Sequence, residues 1–236
     1  MSEQAMSEQA MTEQAMTEQG TGRSVENDAS AEIEGNGLPV GDSTWVERLT
    51  SVRHEPDPHG NAPVASDLET MLTVAASVPD HGGLRPWRFV VIEGEGKRRW
   101  ADALEAGLVA LRGIDQPDAV VAKMRGKANA APCSIAVVSA TDHHASVAAW
   151  EQAASAACTG YALVLAATGL GYGAVWKSAA VLDTEPVREF FNLQTNETLL
   201  GWVNVGTPAR LSRAKLTRSP EIYRQTVDER VTRIVD

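Results

Sequence analysis

Residues 146–176 read "SVAAWEQAASAACTGYALVLAATGLGYGAVW", and the order of elements within this stretch decides the fold class. Trp150, Ala153, Ala154, Ala157, Cys158, Tyr161, Val164, Leu165 and Thr168 recur three and four residues apart, which predicts an unusually long helix ending near Gly169. Alanines fill its other faces too, so neighbours can approach it from more than one side. That suits a central helix, with a subunit interface as one use of the second side. Gly169, Gly171 and Gly173 form a G-x-G-x-G pattern, but a helix precedes it and the strand pattern "YGAVW" follows. A dinucleotide-binding turn has the opposite context, strand before and helix after. Gly169 therefore reads as a helix C-cap, and a doubly wound dinucleotide fold is set aside.

Working outward, "SDLETMLTVAASVP" (66–79) predicts a helix with Leu68, Met71, Leu72 and Ala75 on one stripe, and Ser66 and Glu69 stand at capping-box spacing. Pro79 ends it. "WRFVVIEG" (87–94), "SIAVVSA" (134–140), "YGAVW" (172–176) and "LLGWVNVG" (199–206) are short, β-branched runs that read as buried strands. Between them "KRRWADALEAGLVAL" (97–111) and "TEPVREFF" (184–191) return to helical spacing, and "TWVERLTSVRHEP" (44–56) suggests one more short helix. Strands separated by helices indicate an α/β or α+β sandwich around a small sheet. The first twenty residues repeat a pentapeptide whose methionines cannot share a helical face. The following segment to residue 43 is polar and acidic, too poor in apolar residues to offset chain entropy. Residues 1–43 are therefore expected to be a disordered tail and 44–236 a single domain, with a polar, basic extension from Thr207.

The 236 residues carry a formal net charge of −10, which argues against nucleic acid as a partner. No apolar run approaches the about 20 residues of a membrane span, and the N-terminus lacks the charged and apolar regions of a secretory signal. A cytoplasmic protein is expected. Cys133 and Cys158 form no C-x-x-C pair, and His143 and His144, beside Asp142, read as a solvated turn, so no metal centre is expected.

Three separated pieces remain as candidate chemistry. "SVRHE" carries Arg53 and His54, "PDHGGLRPWRF" (79–89) joins a helix to a strand, and "VWKSA" ends a strand with Trp176, Lys177 and Ser178. Each lies at an element terminus and offers cations or hydroxyls of the kind that pair with phosphate or an anionic ring. Arg53, Arg85 and Lys177 could equally be ordinary surface charges, and Trp87 and Trp176 core residues. On residue chemistry alone the chain is an enzyme-like domain with an anion site.

"PDHGGLRPWRFVVIEGEG", "WEQAASAAC", "GLGYGAVWKSAA" and "NVGTPA" together resemble the nitroreductase family of flavin enzymes, most closely its short bacterial NAD(P)H nitroreductase branch, over roughly residues 45 to 209. The resemblance implies an α/β/α sandwich with a central mixed sheet and a long central helix. It also implies an intertwined homodimer with FMN at each of two subunit interfaces. The family's Arg-Arg-Ser element, which grips the FMN phosphate and ribityl chain, aligns with Val52, Arg53 and His54. His81 becomes the flavin contact of the loop, Ser77 a helix-end position that also approaches FMN, and Arg85 stands where Gln is frequent. "WKS" matches a Trp-Arg-Ser flavin clamp, so Trp176, Lys177 and Ser178 should flank the cofactor, with Lys177 the catalytic cation at the ring's N1/O2 edge. The implied reaction is a ping-pong hydride transfer from NADH or NADPH through FMN to a nitroaromatic, quinone or activated alkene. The alternative is a flavin storage or sensor protein without turnover.

Overall fold

The computed structural model of the chain describes residues 58–208, together with 33–34, 38–39, 44, 49, 230–232 and 234. The chain divides into two units, Met1–Ser43 and Thr44–Asp236. In the first, the two-residue strands β1 (Ile33–Glu34) and β2 (Leu38–Pro39) pair antiparallel. The rest of the expected tail lies outside the described residues, as does the expected helix at 44–56 apart from Thr44 and Leu49, which are helical and exposed.

In the second unit the order is α1 (Ala65–Ala76), β3 (Trp87–Ile92), α2 (Glu95–Arg112), α3 (Asp118–Gly126), β4 (Cys133–Ala140), α4 (Ala149–Gly169), β5 (Gly173–Lys177), α5 (Glu185–Phe191) and β6 (Glu197–Gly206). All four expected strands form, in the spatial order β3-β4-β6-β5. All three pairings are antiparallel, where a mixed sheet was expected, because β6 returns between β4 and β5, which run the same way. Alternation along β4 sorts the core. Cys133, Ile135 and Val137 pack with Met71 and Ala75 of α1 and Leu163, Val164 and Ala167 of α4. Ala136 and Val138 face the other way, into Trp100, Leu104 and Leu108 of α2 and Val187 and Phe191 of α5. Helices thus cover both faces, the α/β/α sandwich the sequence implied.

Two helix termini differ from expectation. The residue capping the start of α1 is Val64, without a side-chain cap, so Ser66 lies inside the helix and the Ser66/Glu69 capping box does not form. Tyr172 takes over the tie. Its hydroxyl donates to Asp67 Oδ2 at 2.7 Å and accepts from the Val64 amide at 3.4 Å. At the end of α4 the left-handed glycine is Gly171 (φ 88°) rather than Gly169. Tyr172 N–H bonds Ala167 O and Gly171 N–H bonds Thr168 O, the two bonds of a Schellman motif. Helix α3 was not anticipated; none of its residues is fully buried, so its apolar signal is weak.

One buried polar chain crosses the sheet. Lys97 of α2, only 7% exposed, donates through Nζ to Ser134 Oγ, which donates to Asn204 Oδ1, both at 2.6 Å. Burial pulls the Lys97 pKa down to about 8, while burial and then nearby Glu93 push Cys133 up to about 12. Unfolded, the two groups titrate near ~10.4 and ~8.5. From pH 8 the unfolded chain keeps the lysine proton that the folded chain has released, so Lys97 makes stability rise with pH until about 10.4. Cys133 acts oppositely above about 8.5, because the folded thiol keeps a proton that the unfolded thiol has lost. The two slopes offset, and wild-type stability should be nearly flat from pH 8.5 to 10. Cys133→Ala should instead gain stability over that range, by about 1.4 kcal/mol per pH unit, and Lys97→Met should lose it at a similar slope. Urea unfolding across the range checks this; parallel pH profiles in all three proteins would refute it.

Candidate functional site

The segment after α1 is a tightly specified turn. Ser77 ends the helix with its hydroxyl donating to Val74 O at 2.8 Å, and a single 3-10 turn, His81–Gly83, follows. Gly82 and Gly83 take φ of 83° and 66°, and Arg85, a residue with a Cβ, takes 49°. The left-handed region costs such a residue about 1–2 kcal/mol, so something must enforce it. Asp80 does so by accepting the Arg85 amide on Oδ2 at 3.0 Å, and the Arg85 carbonyl accepts from Trp87 N–H at 2.7 Å. The Arg85 side chain is left exposed. His81 Nδ1 lies 3.0 Å from Glu151 Oε2 in the first turn of α4, and the imidazole is 70% exposed.

The second piece sits at the end of β5. The Trp176 ring lies against Gly160 of α4 so closely that a Cβ there would overlap it, and on the other side a Cβ at Gly201 of β6 would lie 2.6 Å from Trp176 Nε1. Two glycines thus fix the indole, and β6 is irregular at this point, its register to β4 shifting between Val137 and Val138. Lys177 is half-buried and Ser178 exposed. Among the described residues Lys177 has no ion pair, whereas Arg88, Arg98, Arg125 and Arg188 each bond a carboxylate. Lys127, past the end of α3, donates to Ser178 O at 3.4 Å. Burial, then the charges of Lys177 and Lys123, lowers the Lys127 pKa. In a chain of net charge −10, cations without counter-charges concentrate around this strand end.

One chain does not bring the two pieces together. Strands β3 and β5 are the opposite edges of the sheet, three strand spacings or about 14 Å apart. The underlying helix gives the same answer. His81 meets α4 at Glu151 and Trp176 meets it at Gly160, nine residues on, again about 14 Å at the helical rise. His81, Ser77 and Arg85 form one half, Trp176, Lys177 and Ser178 the other. Arg53 and His54 lie outside the described residues. Sequence reasoning missed Asp80, Glu151, Lys127, Gly160 and Gly201; only the unusual glycine within the helical pattern at 160 offered a signal.

Between the halves runs the outer face of α4. Its buried face is Gln152, Ala156, Thr159, Gly160, Leu163, Val164 and Ala167. Trp150 (72% exposed), Ala154, Cys158 and Tyr161 (49%) lie outward. Much of the three-four stripe singled out from the sequence is therefore the solvent-facing side. His143 and His144 occupy an exposed turn in which the His144 amide donates to Asp142 Oδ1 at 2.8 Å. Among the described residues no group of three or more His, Cys, Asp or Glu could hold a metal, and no helix is long and apolar enough to cross a membrane.

The model of the Nitroreductase family matches residues 60–207. Over 147 residues, 62% of this chain and 79% of the other, the sequence is 37% identical to YdjA of Escherichia coli (strain K12), by name an NAD(P)H nitroreductase. Among solved structures, the nitroreductase-like family protein of Bacillus cereus superposes with a TM-score of 0.62 at 19% identity, over 84% of this chain and 99% of that one. The FMN-dependent nitroreductase NfnB of Mycobacterium smegmatis, solved with NADPH, gives 0.60 at 17% identity, over 82% and 99%. At such identities the structural likeness concerns the fold.

Proposed function

The chain belongs to the nitroreductase family of oxidoreductases, and we propose that it is a cytoplasmic, homodimeric, FMN-dependent NAD(P)H oxidoreductase reducing electron-poor acceptors such as nitroaromatics, quinones or activated alkenes. The donor set suits FMN. A phosphate and a ring bearing carbonyl oxygens require cations and hydrogen-bond donors, and Lys177, Ser178, Arg85 and His81 offer them at exposed or half-exposed strand and turn ends. When bound, FMN supplies a two-electron relay between a nicotinamide and an acceptor that use one cleft in turn, a ping-pong sequence.

The chain's own residues position and charge that cleft. Trp176, wedged between Gly160 and Gly201, gives a fixed apolar wall. Lys177, which has no ion pair among the described residues, would hold its ammonium at the edge of the ring where negative charge develops, the logic of an oxyanion site. Ser178 donates beside it, and His81, oriented by Glu151, and Ser77 supply the opposite wall. Arg53 and His54 are assigned to the phosphate. The observation that carries the reading is the splitting of the two walls across about 14 Å in one chain. A cleft that places both walls around one flavin ring would draw them from two copies, and the exposed apolar side of α4 between them suits that partner.

Anaerobic stopped-flow mixing tests the proposal. The purified protein should be yellow, bleach on addition of NADH or NADPH, and recover colour with an acceptor, giving parallel double-reciprocal plots. A yellow protein that no nicotinamide bleaches would be a flavin carrier, and a colourless one that FMN does not reconstitute would remove the cofactor.

A further inference from the structure

The last turns of α2, the inner side of α3 and the residues following β5 enclose a cavity of about 450 Å³, within the range of small-molecule sites. Its floor is apolar, with Leu108, Met124 and Val181, and its rim is Arg112, Lys123 and Lys127. Helix geometry puts these groups on one side, since Val120, Lys123, Met124 and Lys127 recur three and four residues apart. The other basic side chain of α3, Arg125, is turned away and bound to Asp102 and Glu105. None of the lining residues is acidic. Among the described residues none of the three rim cations has an ion pair, and the Lys127 contact to Ser178 O is long at 3.4 Å. Burial first, and then the charges of Lys177 and Lys123, lower the Lys127 pKa. An acidic protein that pairs Arg98, Arg125 and Arg188 with carboxylates yet leaves these cations around an apolar hollow offers a place for an anion with an apolar body.

We propose that this cavity is a binding site for a compact amphipathic monocarboxylate, its alkyl or aryl body on Leu108, Met124 and Val181 and its carboxylate on Lys123 and Lys127. The assignment does not depend on the flavin reading. The cavity lies on the α2 side of the sheet, whereas Trp176 and His81 contact α4, and it adjoins the residues assigned to the flavin where Lys127 meets Ser178 O.

Calorimetric titration of the purified protein, with whatever flavin it carries, uses 2-naphthoate and its neutral isostere 2-naphthamide as probes. Naphthoate should bind about tenfold or more tightly than the amide, because a carboxylate on lysine makes charge-assisted hydrogen bonds, and the preference should shrink as salt rises. The double variant Lys123→Gln with Lys127→Gln should bind both probes alike. Ala119→Trp, at an exposed lining position, should close the cavity and weaken both by more than tenfold while circular dichroism stays unchanged. Equal affinities in the wild type would overturn the proposal, as would a preference that survives the double variant or unchanged binding to Ala119→Trp. Naphthoate binding that disappears as the protein is saturated with FMN would assign the cavity to the flavin site and overturn it as well.

Discussion

Lys177→Ala should slow reduction of bound FMN by either nicotinamide by about 100-fold, the scale on which a single preorganised charge-stabilising donor acts. It should also make the flavin harder to reduce. A charge-assisted contact in a half-buried setting is worth about 1.5–3 kcal/mol, and for a two-electron couple 1.4 kcal/mol corresponds to about 30 mV, so the midpoint should fall by about 30–60 mV. The ladder contact of Lys177 with Trp202 is a backbone register and survives truncation of the side chain. A merely structural lysine would change neither the potential nor the nicotinamide-dependent step. Lys177→Arg should recover most of both, since it restores the charge and adds a fork of donors. Dye-equilibrium potentiometry and anaerobic stopped flow read the two effects separately. An unchanged potential and an unchanged rate together would remove Lys177 from the mechanism.

The parts of the fold that were legible are those whose signal is local. Strand β4 is buried on both faces, so "SIAVVSA" is apolar throughout and could be read without knowing its neighbours. Helix α4 is long enough for its period to be unmistakable, and the helix-to-strand order around Gly169–Gly173 excluded the dinucleotide fold correctly. What failed was decided elsewhere in the chain. The start of α1 is fixed by Tyr172, more than a hundred residues away, which is why a plausible Ser66/Glu69 cap does not form. Strand order is not written in any local pattern, so β6 entering between β4 and β5 went unseen, and with it the antiparallel sheet. The candidate site repeats this division. His81, Arg85, Trp176 and Lys177 stood out in the sequence as candidates, but their separation to opposite sides of the sheet did not. Nor were the close approaches at Gly160 and Gly201, which belong to the packing of the Trp176 ring.

That separation makes the second large effect an assembly effect. If one flavin cleft takes Trp176, Lys177 and Ser178 from one copy and His81 and Arg85 from the other, FMN binding and dimerisation stand or fall together. Ala154→Glu tests the link. Ala154 is exposed between Trp150 and Cys158 on the outward face of α4, so a carboxylate there leaves the core of one chain untouched. In a dimer joined through that face it would be buried without a partner, at a cost of several kcal/mol. The variant should elute at the monomer mass of 25.2 kDa rather than twice that, with unchanged far-ultraviolet circular dichroism, and should lose nearly all bound FMN. Ala154→Ser, small and uncharged, should retain both. A monomeric Ala154→Glu protein still holding one FMN per chain would show that a single copy completes the site. A dimer that keeps its flavin would move the interface away from α4.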